Sequence, residues 1–589
     1  MLNSYYSDYL LRLDEALNDR SSLGRLSHWI EKNTSLRGRL HSFKGHEFQV
    51  DIINSVHPNA VVKKPSQMGL TEAEIRFALA FLMSEKDSCC MYLLPTVGEA
   101  LRMAKSRFDP VIAASGAIKN ALVSGSDSSS FKQLGSSQLH MGGTFGREVV
   151  SVPVDLLVID EYDFCDFTNA TTAESRLTHS EFKTDVNGTI IRGLKRKFST
   201  PTALGIGVDL LFSQSDQKYR LVKCKSCHDW FWPNFLENVV VDGYDGSFQE
   251  LDWITALSLD DRGLIPSARI ICPHCHKTVH HENLQPEYRE WVAKHPHVRH
   301  QEGWQVSPFD APEYHTPASI LRKLIDYQTK VAKFNNYVLG FGYSDSTNSI
   351  IDSVVEANTT LSPILPEQAE HDRLSGCIAG LDIGKTSWLL IGRYDFSKKA
   401  PIIIHAEAIK LRDPNGSDLE TIVLERLRQY GVTLLVCDML PYTDTILKIQ
   451  AKRPEGWVLP NSYTLGDKKL PIYEVDENRN IIASNRTKSL DYTAKMTNSG
   501  AIKFCKSPEM ATVRKHLQGM KKIDPPEERA EEPSRWVKSS DDHYFHALNY
   551  LCLASMITET TGLPFAPVPS IRQATVGSKF NGNKPTSQT

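Results

Sequence analysis

VDLLVIDEYD spans residues 154–163. Leu156, Leu157, Val158 and Ile159 form an apolar run that ends in two adjacent carboxylates, Asp160 and Glu161. So short and so apolar a run fits a strand buried on both faces, as in a parallel sheet covered by helices. It is not isolated. From about residue 44 to 215, short apolar strands alternate with helical stretches, which is the α/β signature.

A buried strand that delivers two carboxylates at its C-terminal end is the Walker B arrangement. Asp160 would hold the water shell of Mg²⁺ and Glu161 would polarise an attacking water. Upstream, KKPSQMGLTE (63–72) has the glycine and the hydroxyl of a phosphate-binding loop. The standard loop reads G-x-x-x-x-G-K-[ST]. With Thr71 aligned to the hydroxyl and Gly69 to the second glycine, Leu70 takes the lysine position and Lys64 the first glycine position. A long side chain there can reach phosphates from the loop's other end, and Lys63 stands beside it. Alone, the stretch is a weak signal and reads first as a turn with a lone glycine. Its neighbours change that. HEFQVDII (46–53) offers Gln49, whose amide can pair with an adenine edge; MYLLPTVGEALRMAKSRF (91–108) is strand, turn, helix; KFSTPT (197–202) runs from a strand into a Ser-Thr-Pro turn.

Two further groups carry chemistry. CKSC (224–227) and CPHC (272–275) bring Cys224, Cys227, Cys272 and Cys275, and four thiolates suit a closed, tetrahedral, structural Zn²⁺ site. Nearby His274, His276, His280 and His281 read mostly as surface residues, one of which could replace a cysteine ligand. In the C-terminal half, GCIAGLDIG leads to Asp382, LLVCDMLPYTDT (434–445) ends a strand at Asp438, and SSDDHYFHALNYLCLA (539–554) puts Asp541, Asp542 and His543 before an apolar helix. Three carboxylates from separate element ends can converge on two metal ions and activate water. From spacing alone the signal is weak, and each aspartate reads first as a cap or turn residue.

The order Gln, loop, PT, DE, STPT resembles the ATPase motor of the phage terminase large subunit. The lysine at the loop's first position is similar to the lambda-type (GpA-like) branch. The resemblance covers roughly residues 40 to 555. It implies an α/β chain: a P-loop (ASCE-type) ATPase domain with an inserted zinc ribbon, then an RNase H-like α/β nuclease domain. It implies ATP with Mg²⁺ at Gln49, Lys63 or Lys64, Gly69, Thr71 and Asp160, with Glu161 catalytic and Arg76 or Arg147 as the arginine expected of such motors. It implies two Mg²⁺ or Mn²⁺ at Asp382, Asp438 and Asp542, the third place being shared in doubt with Asp541, His543 and His546. Arg486 and Lys488 are candidate DNA-backbone contacts. The partners implied are double-stranded viral DNA, a terminase small subunit, the portal protein of the procapsid and further copies in a ring, in the host cytoplasm.

Bulk properties are those of an ordinary globular chain, too long for one core, with two to four domains expected. The chain has 589 residues, 23% of them charged, and a formal net charge of −3, so any nucleic-acid contact must come from local basic patches. No apolar run approaches the roughly 20 residues of a membrane helix, and the acidic N-terminus is not a signal peptide. The expected division is an N-terminal helical segment (1–43), a motor (44–358) with a ribbon at about 216–285, a linker (359–373), a nuclease (374–560) and a disordered tail (561–589). Two other readings remain open at this stage: a DNA helicase or remodelling ATPase with an inactive nuclease-like domain, and a non-enzymatic zinc-containing scaffold.

Overall fold

The structure, a computed structural model, describes residues 26–145, 152–186, 188–410, 418–453, 457–464, 471–476, 479–525 and 533–561. Most of the expected N-terminal helical segment and nearly all of the expected tail lie outside the described residues. The described part of the former holds one helix, Leu26–Asn33, and then a tight hairpin, Ser35–Leu36 with Arg39–Leu40. The helical expectation fails there because Arg37 and Gly38 take φ of 50° and 77°, the pair of positive angles that a two-residue hairpin turn needs.

The chain forms two compact units, Met1–Tyr343 and Ser344–Thr589. The first is built on an 11-stranded mixed sheet. Its middle runs, in spatial order, Glu302–Gln305, Asn59–Lys63, Leu194–Ser199, Leu156–Asp160, Cys89–Leu94 and Ser137–Gly143, all parallel. Leu156–Asp160 is buried throughout, so its apolar run is what a central strand covered on both faces requires. The register sets Ser199 opposite Lys63 and Phe198 opposite Asp160. Three motifs far apart in sequence therefore end on one edge of the sheet, the carboxyl edge, where open α/β folds bind ligands.

The cysteine-bearing segment starts later than expected. Lys218–Lys223 belongs to the large sheet, pairing with Glu302–Gln305 and Arg289–Ala293, because its alternate residues Arg220 and Val222 are buried. Between the two Cys-x-x-Cys turns lie a helix, Trp253–Asp261, and a small sheet of Val239–Val240, Arg269–Ile271 and Thr278–Val279.

The second unit has a seven-stranded sheet. Cys377–Asp382 lies at its heart, antiparallel to Thr386–Asp395 and parallel to Val432–Asp438. Residues 344–358 go with this unit. The segment 359–373, expected as a linker, carries the strand Thr359–Leu361, paired with Phe504–Cys505, and the helix Pro366–His371. Pro366 starts a helix there rather than breaking one, since the first helical position needs no N–H.

Helix His543–Thr561 packs on the sheet at Gly380, where a Cβ would sit 2.1 Å from the Ala547 carbonyl oxygen and 2.5 Å from the Leu551 nitrogen. Helix and strand backbones meet directly, which brings Asp382, two residues on, to the helix's first turn. Gly380→Ala is expected to destabilise this unit by about 1–3 kcal/mol or more, as overpacking does. A thermal melt of the purified variant checks it.

Candidate functional site

In the first unit, the loop after Asn59–Lys63 turns into helix Leu70–Ser84 through Gly69, whose φ of 72° suits glycine. A Cβ on Gly69 would also lie 3.0 Å from Gln49 Nε2. Gln49 is buried, and its amide donates to the Met68 carbonyl at 2.8 Å. In this structure the glutamine thus holds the loop rather than facing outward. Thr71 stands in the first turn of the helix.

The two lysines part company. Lys63 Nζ donates to Asp209 Oδ1 at 2.6 Å and lies 5.4 Å from the centre of the Phe212 ring. Lys64, one residue on and so on the other face of an extended chain, has its Nζ 3.7 Å from Glu161 Oε1. Lys64 therefore faces the carboxylate pair, and Lys63 is tied to a structural partner.

Asp160 is fully buried; its Oδ2 accepts from the Tyr92 hydroxyl at 2.9 Å, and its Oδ1 has no partner among the described residues. Burial, then the charge of Glu161, pushes its carboxyl above the ordinary range, against the pull of Lys64. Glu161 sits in the left-handed region at φ 52°. A non-glycine residue held there costs of order 1–3 kcal/mol, a strain that clusters at functional sites.

Asp163, which the sequence did not single out, links the strand's end to the Ser-Thr-Pro turn. One oxygen accepts from the Thr202 N–H at 2.8 Å and the Thr202 hydroxyl at 2.9 Å, the other from the Val208 N–H at 2.7 Å. Burial raises its carboxyl to about 7.

Arg76 does not fit the role of a mobile cation. It is fully buried, donating to the Glu72 carboxylate at 2.6 Å and to the Ser35 carbonyl at 2.9 Å. Its place inside a helix that is buried on nearly every side explains this. Arg147 lies outside the described residues.

In the second unit, Asp382 and Asp438 end adjacent parallel strands, with Leu381 opposite Cys437. Burial and then the neighbouring Asp382 raise the Asp438 carboxyl to about 6. His543 Nδ1–H donates to Asp382 Oδ2 at 2.8 Å, and its ring stacks on Trp388 with 5.5 Å between centres. Asp542 faces Lys538 Nζ at 2.8 Å and His546 Nε2 at 3.5 Å. Hydrogen bonding to His546 and Lys538 outweighs burial and holds the Asp542 carboxyl down at about 2. A chain of contacts positions that histidine: the Tyr463 hydroxyl meets His546 Nδ1 at 2.9 Å, and the Asn549 amide donates to that hydroxyl at 3.0 Å. Asp541 is exposed. Arg486 donates to the Trp536 carbonyl at 2.7 Å, so it is held against its own unit, and Lys488 is half-buried.

The four cysteines come together. Their sulfurs lie within 4.8 Å of one another. Sγ of Cys224 is 3.7 Å from that of Cys275, and Cys227 is 3.7 Å from Cys272. The two turns match: His228 and His276 donate N–H to the carbonyls of Cys224 and Cys272, both at 2.9 Å, and both take positive φ, 64° and 58°. No histidine joins the set. Among the described residues this is the one group with three or more ligand atoms so close, so the three aspartates do not gather into a comparably tight cage.

Sheet, loop and carboxylate pair define the first unit as an α/β ATPase domain of the terminase kind: residues 47–291 match the family model described as "Phage terminase large subunit gpA, ATPase domain". Over those residues the chain belongs to the gpA-type terminase ATPase-domain family. Among curated proteins none matches it. Among solved structures it is similar to the large terminase of bacteriophage HK97, with a TM-score of 0.50 and 11% identity over 91% of this chain and 99% of that one. At that identity the likeness speaks to the fold alone. Looser matches are the large terminase of a thermophilic bacteriophage in complex with ADP (TM-score 0.26, 10% identity, 84% of this chain and 93% of that one) and the large terminase nuclease of the thermophilic phage G20c with bound magnesium (TM-score 0.22, 14% identity, 35% and 97%). Neither superposes closely enough to add to the assignment.

Proposed function

We propose that this chain hydrolyses ATP to drive double-stranded viral DNA into a procapsid, and cuts concatemeric DNA with two divalent metal ions in its second unit. The observation that supports the motor most is Lys64 standing 3.7 Å from Glu161, beside buried Asp160, on the carboxyl edge of one parallel sheet. In this reading the loop 64–71 is a P-loop whose lysine has moved to Lys64. Gly69 lets the backbone turn its N–H groups toward phosphates, Thr71 and Asp160 hold Mg²⁺ and its waters, and Glu161 orients the attacking water. Lys64 neutralises phosphate charge. Gln49 positions the loop from behind, through Met68. Glu161→Ala is expected to leave nucleotide binding in place and cut hydrolysis by roughly 10²–10⁴-fold, the usual worth of a positioned base. Wild-type turnover in that variant would sink the motor assignment.

The nuclease reading gives Asp382, Asp438 and Asp542 to two Mg²⁺ or Mn²⁺ ions in an RNase H-like unit. Carboxylate oxygens are the donors such hard cations take. Bound there, the ions would supply an activated water and stabilise the leaving oxygen. The chain's own part is to orient: His543 steers Asp382, and Tyr463 and Asn549 steer His546 and through it Asp542.

The cysteines fit one structural Zn²⁺ in a ribbon: four sulfurs, two matched turns, no open position. Elemental analysis is expected to give one zinc per chain. Stripping it with a chelator, or Cys224→Ser, is expected to lower the melting temperature of the first unit, since metal binding here is folding energy. A metal-free chain with the same melting temperature would contradict this.

By the same resemblance, contacts to DNA phosphates carry no sequence information, so choice of cutting site falls to a terminase small subunit. The motor would act as a homo-oligomeric ring docked on the portal in the host cytoplasm.

A further inference from the structure

We propose that Asn461 is a further member of the cation site in the second unit, its side-chain oxygen facing the ion held at Asp438. This rests on reading that site as a metal-dependent nuclease. Strand Trp457–Thr464 lies parallel to Val432–Asp438, with Val436 opposite Leu459 and Asp438 opposite Asn461. Val436 and Leu459 both belong to the core beneath helix His543–Thr561. Side chains two residues apart on a strand share a face, so Asp438 and Asn461 stand side by side on the face where Asp542 and His546 also lie.

Asn461 is 0% exposed, and among the described residues neither its Oδ1 nor its Nδ2 has a hydrogen-bond partner. A buried amide with both ends unpaired is rare and destabilising, and calls for a reason. It cannot be put down to a loose strand, because the Asn461 carbonyl accepts from the Met439 N–H at 3.1 Å, next to Asp438 itself. Nor is it alone. Ser484, opposite Tyr463 on the next strand, has a buried hydroxyl that is likewise without a partner. Polar groups thus replace apolar packing on one flank of Asp438.

The chemistry of an amide suits this place. Its oxygen is a proper ligand for a hard divalent cation or for a water bound to it. Its N–H₂ can donate to the Asp438 oxygen that the ion does not use, which orients that ligand. Being neutral, it adds a donor without a further negative charge beside Asp382 and Asp438, which already repel each other.

The test is Mn²⁺ binding by the full-length chain, without nucleotide, for wild type, Asn461→Leu and Asp438→Asn. It is followed by calorimetry and by melting in Mn²⁺ and in chelator, with plasmid cleavage alongside. Asn461→Leu is expected to melt in chelator at or above the wild-type temperature. It should bind Mn²⁺ about tenfold more weakly, lose most of the Mn²⁺-induced rise in melting temperature, and cleave correspondingly less. Asn461→Ser, smaller and still polar, is expected to weaken binding in the same direction and serves if the leucine variant does not fold. Wild-type Mn²⁺ affinity in the folded variant, with Asp438→Asn impaired, overturns the inference alone. Wild-type affinity in Asp438→Asn overturns the nuclease reading beneath it.

Discussion

Lys64→Ala is expected to reduce ATP hydrolysis by ~10²–10³-fold, the worth of one preorganised donor to developing charge in a water-poor site. Lys63→Ala is expected to do something different. Lys63 and Asp209 form a buried pair at 2.6 Å. Removing one partner of such a pair leaves an uncompensated charge and costs about 3–5 kcal/mol. The first variant should therefore fold normally and fail to turn over; the second should melt early and, while folded, retain most of its turnover. Adding Asp209→Asn to Lys63→Ala should restore part of the lost stability, because the charge left behind is then gone. Steady-state hydrolysis and thermal melts on the same preparations decide it. The assignment of Lys64 is wrong if Lys63→Ala is stable and inactive while Lys64→Ala still turns over.

The second large effect is expected from Asp382→Ala. Asp382 is nearly buried at the end of the central strand, beside Asp438 and bonded to His543. On the proposed two-metal reading, losing one of these carboxylates removes several kcal/mol of transition-state stabilisation, which is about 10³-fold or more in rate. Cleavage of supercoiled plasmid should fall below detection, and ATP hydrolysis should continue, because the motor residues all belong to the other compact unit. A variant that still cuts would remove Asp382 from the metal site.

The sequence was informative where one strand carries the whole signal. VDLLVIDEYD is apolar enough to be central in its sheet and ends in its carboxylates, so its place and the edge at which those carboxylates stand are local properties. The Cys-x-x-Cys pairs were legible for the same reason. What could not be read depends on pairing between distant segments. That Lys63 is neutralised by Asp209 needs a helix 146 residues on. Asp163 looked like one more polar residue in a turn until Thr202 and Val208 closed on it. Arg76 looked available as a motor cation because a helical pattern does not say that every side of the helix is covered. Lys218–Lys223 falls within the stretch expected as a ribbon, although its partners Arg289–Ala293 and Glu302–Gln305 make it part of the main sheet. Asn461 gave no signal at all: a lone asparagine in WVLPNSYT becomes notable only when the register sets it against Asp438.

The central claim is that one chain carries two separable activities. The most direct measurement assays ATP hydrolysis and plasmid cleavage in the same tubes, with Mg²⁺ or Mn²⁺, for wild type, Glu161→Ala and Asp382→Ala. The account predicts that wild type does both, that Glu161→Ala cuts DNA without hydrolysing ATP, and that Asp382→Ala hydrolyses ATP without cutting. A wild-type protein that hydrolyses ATP and never cuts DNA, with either metal, would contradict it and leave a remodelling ATPase with an inactive second unit.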